Sequence, residues 1–336
     1  MDIMFIIVSV ITAGALGFIF GGGLAYAAKV FSVEKNPKIE EVAEVLPNAN
    51  CGACGYAGCN AYAEAVVEYD ENITLCIPGG KEVADKIAQI LGKKAGETVA
   101  KVAYLKCKGT HALAKDKAIY NGINDCKAAV LVAGGNKVCE YGCLGLGTCE
   151  KVCPFDAIHI GEEGLPVVDD EKCTGCGVCV EACPKNVLDL MPKDNKVYLA
   201  CSSQDKGKTV KDYCKVGCIS CTLCVKKCPV GAISMKGNLP VIDFEKCTNC
   251  GVCVHICPTK SYIDKIRNRS KFFIDTKCTG CTKCISVCPV KAISGNEGEK
   301  HTIDPNKCIG CGLCVPACPE GAIKIMGALG YGQKVE

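Results

Sequence analysis

The chain has 336 residues, with 39 Lys and Arg against 36 Asp and Glu and no Trp. So even a charge balance argues against a nucleic-acid protein, whose footprint is a strong basic excess. Thirty-two cysteines at this length exclude one small domain and point to several thiol-rich modules.

The first predicted element is a helix. No charged residue lies between Ile3 and Ala28, and 26 residues at ~1.5 Å rise span roughly 39 Å, more than the ~30 Å hydrocarbon core. A single-pass membrane anchor is expected over residues 1–30. The competing reading is a cleaved signal peptide, because Ala25-Tyr-Ala27 resembles a small-x-small cleavage site. The preceding segment carries Asp2 and no Lys or Arg, which is wrong for a signal. Lys29, Lys35 and Lys38 follow the apolar run and place the bulk of the chain on the cytoplasmic side of the cell membrane. Ala13, Gly17 and Gly21, at four-residue spacing, either let another helix approach closely or reflect the frequency of glycine in membrane helices.

A charged linker, Phe31–Glu44, leads to Cys51, Cys54 and Cys59, then an Ala/Glu-rich predicted helix, then Cys76. Four thiolates without a Cys-Pro partner run predict a self-contained [4Fe-4S] cluster within residues 31–95, with Gly52, Gly55 and Gly58 turning N–H groups toward the sulfurs. Zinc is the alternative, since C-x2-C pairs also serve zinc. Residues 81–105 carry Val83, Ile87, Ile90 and Leu91 at helical spacing and predict a packed helix.

The rest of the chain repeats one pattern. Cys173–Pro184 reads C-x2-C-x2-C-x3-C-P, and the same spacing recurs at Cys218–Pro229, Cys247–Pro258, Cys278–Pro289 and Cys308–Pro319, with a stretched form, C-x3-C-x5-C-x3-C-P, at Cys139–Pro154. In bacterial ferredoxins such a run gives three cysteines to one [4Fe-4S] cluster and its fourth to a neighbouring cluster. Zinc modules use two separated pairs instead. Linkers of a shared form, strand, Gly-containing turn, strand, join runs 139/173, 218/247 and 278/308, so these runs pair. Crossed ligation is then expected. Cys139, Cys143 and Cys149 join Cys183, while Cys173, Cys176 and Cys179 join Cys153. Cys218, Cys221 and Cys224 join Cys257, and Cys247, Cys250 and Cys253 join Cys228. Cys278, Cys281 and Cys284 join Cys318, and Cys308, Cys311 and Cys314 join Cys288.

Six runs and the N-terminal set account for 28 of the 32 cysteines, leaving Cys107, Cys126, Cys201 and Cys214. These four either ligate an eighth cluster together or are buried or free thiols. The expected organisation is α+β: an N-terminal transmembrane helix (1–30), a small helical Fe-S domain (31–95), a connecting segment (96–135), and tandem bacterial-type 2[4Fe-4S] ferredoxin-like modules at 136–200, 217–262 and 272–330, with an insertion at 201–216. Modules this small bury little apolar surface, so bound clusters contribute to folding.

No hydride machinery is visible. The glycines at 142, 145 and 147 lie between candidate ligands with no βαβ frame, so no NAD or flavin site is expected. His111, His159, His255 and His301 are scattered and read as surface or packing residues. The segment Lys260–Lys271, with Lys265, Arg267 and Arg269, is either a solvated linker or a basic patch for an acidic redox carrier.

The anchor, the Cys51–Cys76 set, the stretch Lys137–Ile158 and the ferredoxin repeats together resemble the B subunit of the Rnf complex, in the extended form of strict anaerobes with three ferredoxin pairs. The resemblance implies a subunit of a membrane ferredoxin:NAD+ oxidoreductase that moves Na+ or H+. It further implies reduced ferredoxin as electron donor, and flavin- or NAD-binding and membrane-embedded subunits as partners. An electron-wiring polyferredoxin of a membrane hydrogenase and a cluster-storage scaffold are the rival readings.

Overall fold

The structure, a computed structural model, describes residues 3–30, 36–94, 96 and 99–326. The apolar N-terminal stretch forms α1 (Ile3–Val30). Phe18, Ile19, Phe20 and Leu24 project outward from it, exposed, and Val10–Ala27 is long and apolar enough to cross a membrane. Among the described residues, nothing lies within 4 Å of where a Cβ at Gly17 or Gly21 would stand.

Helices α2 (Pro37–Val45), α3 (Cys59–Glu68) and α4 (Gly80–Leu91) follow. Asn36 caps α2 by accepting from the Lys38 N–H at 3.1 Å, with Pro37 set at the first turn where its missing donor costs nothing. Val42, Leu46, Tyr62, Val66 and Ile87 interlock into a small core between these helices. Ile87 is central, while Val83, Ile90 and Leu91 pack around it partly buried. The helix expected to reach residue 105 stops at Leu91, because Gly92 takes a left-handed conformation (φ 68°) that caps its end. Residues 101–105 are a strand instead.

Each ferredoxin module is built from two antiparallel pairs. In module 1, β1 (Lys101–Leu105) pairs with β4 (Leu188–Pro192) and encloses the hairpin of β2 (Ile158–Ile160) and β3 (Pro166–Val168). In module 2, β5 (Val197–Leu199) pairs with β8 (Tyr262–Asp264) around β6 (Ile233–Lys236) and β7 (Leu239–Ile242). In module 3, β9 (Lys271–Ile274) pairs with β12 (Ile323–Met326) around β10 (Ile293–Ser294) and β11 (Thr302–Ile303). The inner hairpins are the three linkers that the sequence marks as strand, turn, strand.

The outer pairs join residues far apart in sequence, so no local pattern announces them. They extend the modules toward the N-terminus: β1 lies in the stretch expected as a connector, and β5 in the tail expected to belong to module 1. The cysteine-bearing stretches 106–138 and 200–217 therefore occupy equivalent places in modules 1 and 2, between the first strand and the first run. In module 3 only Asp275, Thr276 and Lys277 fill that place.

The two insertions are stitched together by backbone bonds. Residues 113–117 form the middle of a short three-way pairing. The Lys115 N–H donates to Tyr213 O and the Lys215 N–H to Leu113 O, both at 2.8 Å. On the other side, Lys117 N–H reaches Asn136 O at 2.7 Å and Val138 N–H reaches Lys115 O at 3.0 Å. Modules 1 and 2 also pack through aromatic rings: Tyr104 meets Tyr198 at 4.9 Å with the rings inclined at 63° and Phe244 at 6.1 Å near-perpendicular, beside fully buried Met191. Lys265 of module 2 bonds Asp170 of module 1 at 2.5 Å.

Candidate metal centres

The spacing of a run is a backbone device. In C-x2-C-x2-C the residue before the second cysteine and the one after it both take positive φ: Gly175 and Gly177, Ser220 and Thr222, Asn249 and Gly251, Gly280 and Thr282, Gly310 and Gly312. Successive turns of this kind curl the chain so that its N–H groups face inward as a nest for negative charge. A short helix then opens at or beside the third cysteine, and the fourth sits at its end before proline. In five of the six runs, a backbone N–H four residues past the fourth cysteine returns to its sulfur. Ala157 donates to Cys153 at 3.4 Å, Ala232 to Cys228 at 3.3 Å and Ser261 to Cys257 at 3.3 Å. Ala292 donates to Cys288 at 3.2 Å and Ala322 to Cys318 at 3.3 Å. Such bonds stabilise a thiolate that carries iron and help set the cluster's potential.

The thiols gather in fours. One cavity is lined by Cys153, Cys173, Cys176 and Cys179, a second by Cys218, Cys221, Cys224 and Cys257, and a third by Cys288, Cys308, Cys311 and Cys314. In each, the single cysteine comes from the partner run. Cys253 has Cys250, Cys247, Cys224 and Cys228 as charge neighbours, and Cys284 has Cys278, Cys281 and Cys318. Near the N-terminus Cys76 faces Cys59, Cys54 and Cys51. There Gly52 and Gly55 have positive φ, whereas Gly58 is extended and makes room for Asn50, whose Oδ1 accepts from the Cys59 N–H at 2.9 Å.

The stretched run departs from its expected grouping. Cys139 lines a cavity with Cys107, Cys201 and Cys214, away from the expected companionship of Cys143, Cys149 and Cys183. Cys126 in turn lies beside Cys143 and Cys149, not with the other three cysteines that stand outside the runs. The physical reason is the insertion: the pairing of 136–138 with 115–117 carries Cys139 toward module 2.

Among the described residues no three His, Cys, Asp or Glu side chains converge on a point suited to a single metal ion. The cavities of Cys153, Cys257 and Cys288 each offer four thiols, one for each iron of a cubane. Burial pushes the Cys139 and Cys201 thiols up to about 11 and those of Cys149, Cys179 and Cys314 up to about 12. Neighbouring thiols add to the effect, so iron must displace protons when it binds.

Some residues near these centres carry no sequence signal. Lys137 is almost fully buried, lines the cavity of Cys139, and its Nζ donates to Gly109 O. His301, expected as a surface or packing residue, is buried with Nδ1 3.5 Å from the Cys284 sulfur. Part of the basic segment at 260–271 turns inward, while Lys260 stays exposed. Arg269 bonds Asp264 at 2.7 Å and Asn249 O at 2.8 Å, with its side chain 7% exposed. Lys271 donates to Cys308 O, and Arg267 remains exposed.

Comparison with known proteins agrees with the modular reading. An Fe-S cluster family matches residues 46–78, 4Fe-4S binding domains match 138–157 and 166–189, and a 4Fe-4S dicluster domain matches 217–261 and 277–322. A second dicluster match, at 240–295, straddles modules 2 and 3. Repeated spacing permits that slip, and the cavity uniting Cys257 with Cys218, Cys221 and Cys224 favours the first register. The B subunit of the ion-translocating oxidoreductase complex of Methanosarcina acetivorans is 46% identical over 253 residues, covering 75% of this chain and 96% of the relative. The B subunit of the Na(+)-translocating ferredoxin:NAD(+) oxidoreductase complex of Acetobacterium woodii is 45% identical, covering 75% and 76%. The proton-translocating counterpart of Clostridium ljungdahlii is 47% identical, covering 76% and 90%. At this identity and coverage, the chain belongs to the B-subunit family of the ion-translocating oxidoreductase, or Rnf, complexes.

Proposed function

We propose that this chain is a membrane-anchored electron conduit that receives electrons from reduced ferredoxin and delivers them to the membrane and flavin- or NAD-binding subunits of an ion-translocating ferredoxin:NAD+ oxidoreductase. A [4Fe-4S] cluster, when bound, supplies one-electron transfer and no hydride chemistry. The protein's part is to hold such groups in a row, dry and at close range. The observation that carries the reading is that cysteines of successive sets lie within electrostatic reach of one another. Cys51 is a charge neighbour of Cys176, Cys149 of Cys179, Cys224 of Cys253 and Cys250 of Cys311. These neighbours link the N-terminal set to module 1 and module 2 to module 3, and Cys201, a charge neighbour of both Cys107 and Cys218, stands between modules 1 and 2. Six ligand sets in the ferredoxin modules and the self-contained N-terminal set make seven clusters in this reading.

The test is anaerobic purification of the whole complex, followed by reaction with reduced ferredoxin and NAD+ in the presence and absence of Na+. Expected are NADH formation and reversible reduction of this chain's clusters at rates that match turnover. A scaffold would instead hand its clusters to an apo-acceptor and stay unreduced at those rates. A nickel-containing partner would replace the assignment with a hydrogenase-type complex.

A further inference from the structure

We propose that Cys107, Cys139, Cys201 and Cys214 form an additional [4Fe-4S] site joining modules 1 and 2, and that Cys126 completes the site of Cys143, Cys149 and Cys183. The grouping stands on geometry. Only its purpose, a link in the row, rests on the electron-transfer reading.

The four thiols line one cavity, drawn from both insertions. A Cβ at Gly109 would lie 3.7 Å from the Cys214 sulfur and 3.8 Å from that of Cys107, so these two thiols close on the same glycine. Cys107 stands two residues past β1 and Cys201 two residues past β5, equivalent positions in successive modules; module 3 has Thr276 there. Ala114 bridges to Cys214 across the backbone pairing of the insertions, and the neighbouring pairing of Asp116 with Lys137 delivers Cys139. Buried Lys137 supplies a positive charge beside the thiols, as a net-anionic cluster requires.

Cys126 is held in its place by a relay. Its N–H donates to Thr148 Oγ1 at 2.6 Å, and Thr148 Oγ1 donates to Asp125 Oδ2 at 2.9 Å, which ties it to the residue preceding Cys149. Asp125 also accepts from the Ala128 N–H and caps the short helix that Cys126 begins. The stretched spacing then loses its oddity: Cys139 is not the first member of its run, and Cys126 stands in for it.

The bridging set touches both neighbours directly. The Cys143 N–H donates to the Cys107 sulfur at 3.4 Å, and the Cys218 N–H donates to the Cys201 sulfur at 3.2 Å. The set thus lies between the clusters of module 1 and those of module 2, where other contacts are the aromatic rings, the Lys265–Asp170 bond and the backbone pairing of the insertions.

Iron and sulfide per chain decide the matter, measured on the full-length protein purified anaerobically. The wild type should carry about 32 iron atoms, and Cys126→Ser and Cys214→Ser about 28 each. The Cys139→Ser/Cys214→Ser double variant should also keep about 28, because both residues serve one cluster, whereas Cys126→Ser/Cys214→Ser should fall to about 24. The reverse ranking of the doubles, or a wild type of about 28, overturns the proposal and leaves the conduit reading intact. Zinc in place of iron would overturn both. If a double variant fails to fold, the grouping is read on wild-type protein by partial cluster removal with chelator, alkylation and mass spectrometry. Cys139 should become labelled together with Cys107, Cys201 and Cys214; labelling together with Cys143, Cys149 and Cys183 overturns the grouping.

Discussion

Single residues carry the strain and the exposure of these loops. Thr222 and Thr282 adopt φ near 60° at places where the other runs of this spacing use glycine, a conformation costing a β-branched residue about 1–2 kcal/mol. Thr282→Gly should therefore stabilise module 3, by up to about 1 kcal/mol once glycine's entropy is offset, seen as a later midpoint for denaturant-induced bleaching of its clusters. Asn249 tolerates the same conformation because its side chain is used. It accepts from the Lys196 and Val197 N–H groups at 2.8 and 3.3 Å and donates to Asp194 O at 3.1 Å. Asn249→Ala should cost about 2–3 kcal/mol by the same measurement, since it strands buried backbone donors. Among all the cysteines only Cys221 is exposed. On brief exposure to oxygen, alkylation and mass spectrometry should find Cys221, Cys218, Cys224 and Cys257 released before other sets; first release elsewhere would show that solvent access does not control lability.

At the scale of elements, the joints between modules are made by side chains that the sequence presents as ordinary surface charge. Arg269 lies against Gly251 of one cysteine loop and Gly310 of another, with Asp264 as its partner, so it fastens module 2 to module 3. Breaking so buried a pair by Arg269→Leu should cost about 3–5 kcal/mol and open residues 265–270 to limited proteolysis. The inner hairpins were legible from the repeated linker because both strands and their turn lie within one short stretch. The outer pairs were not, since β1 and β4 recognise each other only after some eighty intervening residues have folded. The grouping of thiols follows the same division. Crossed partners inside a regular run pair could be read from spacing, as the cavities around Cys257, Cys153 and Cys288 illustrate. The exchange of Cys139 for Cys126 could not, because it depends on backbone pairing between two insertions with no common motif.

For the whole molecule, charge is near even, and two positive groups of the 260–271 segment, Arg269 and Lys271, are turned inward. A cleft between modules 1 and 2, bordered by Lys106, Lys185 and Lys236, reaches Cys201. The insertions that meet beneath it also impose a schedule on biosynthesis. The N-terminal set is complete once residue 76 has left the ribosome, and both sets of module 1 proper once residue 183 has. Cys107 and Cys139 must wait until Cys214 has been made and the second insertion has folded onto the first. The middle of the row is thus the place where iron is fitted late, and a chain released before residue 214 would end as a stub of wire with two bare thiols at its broken end.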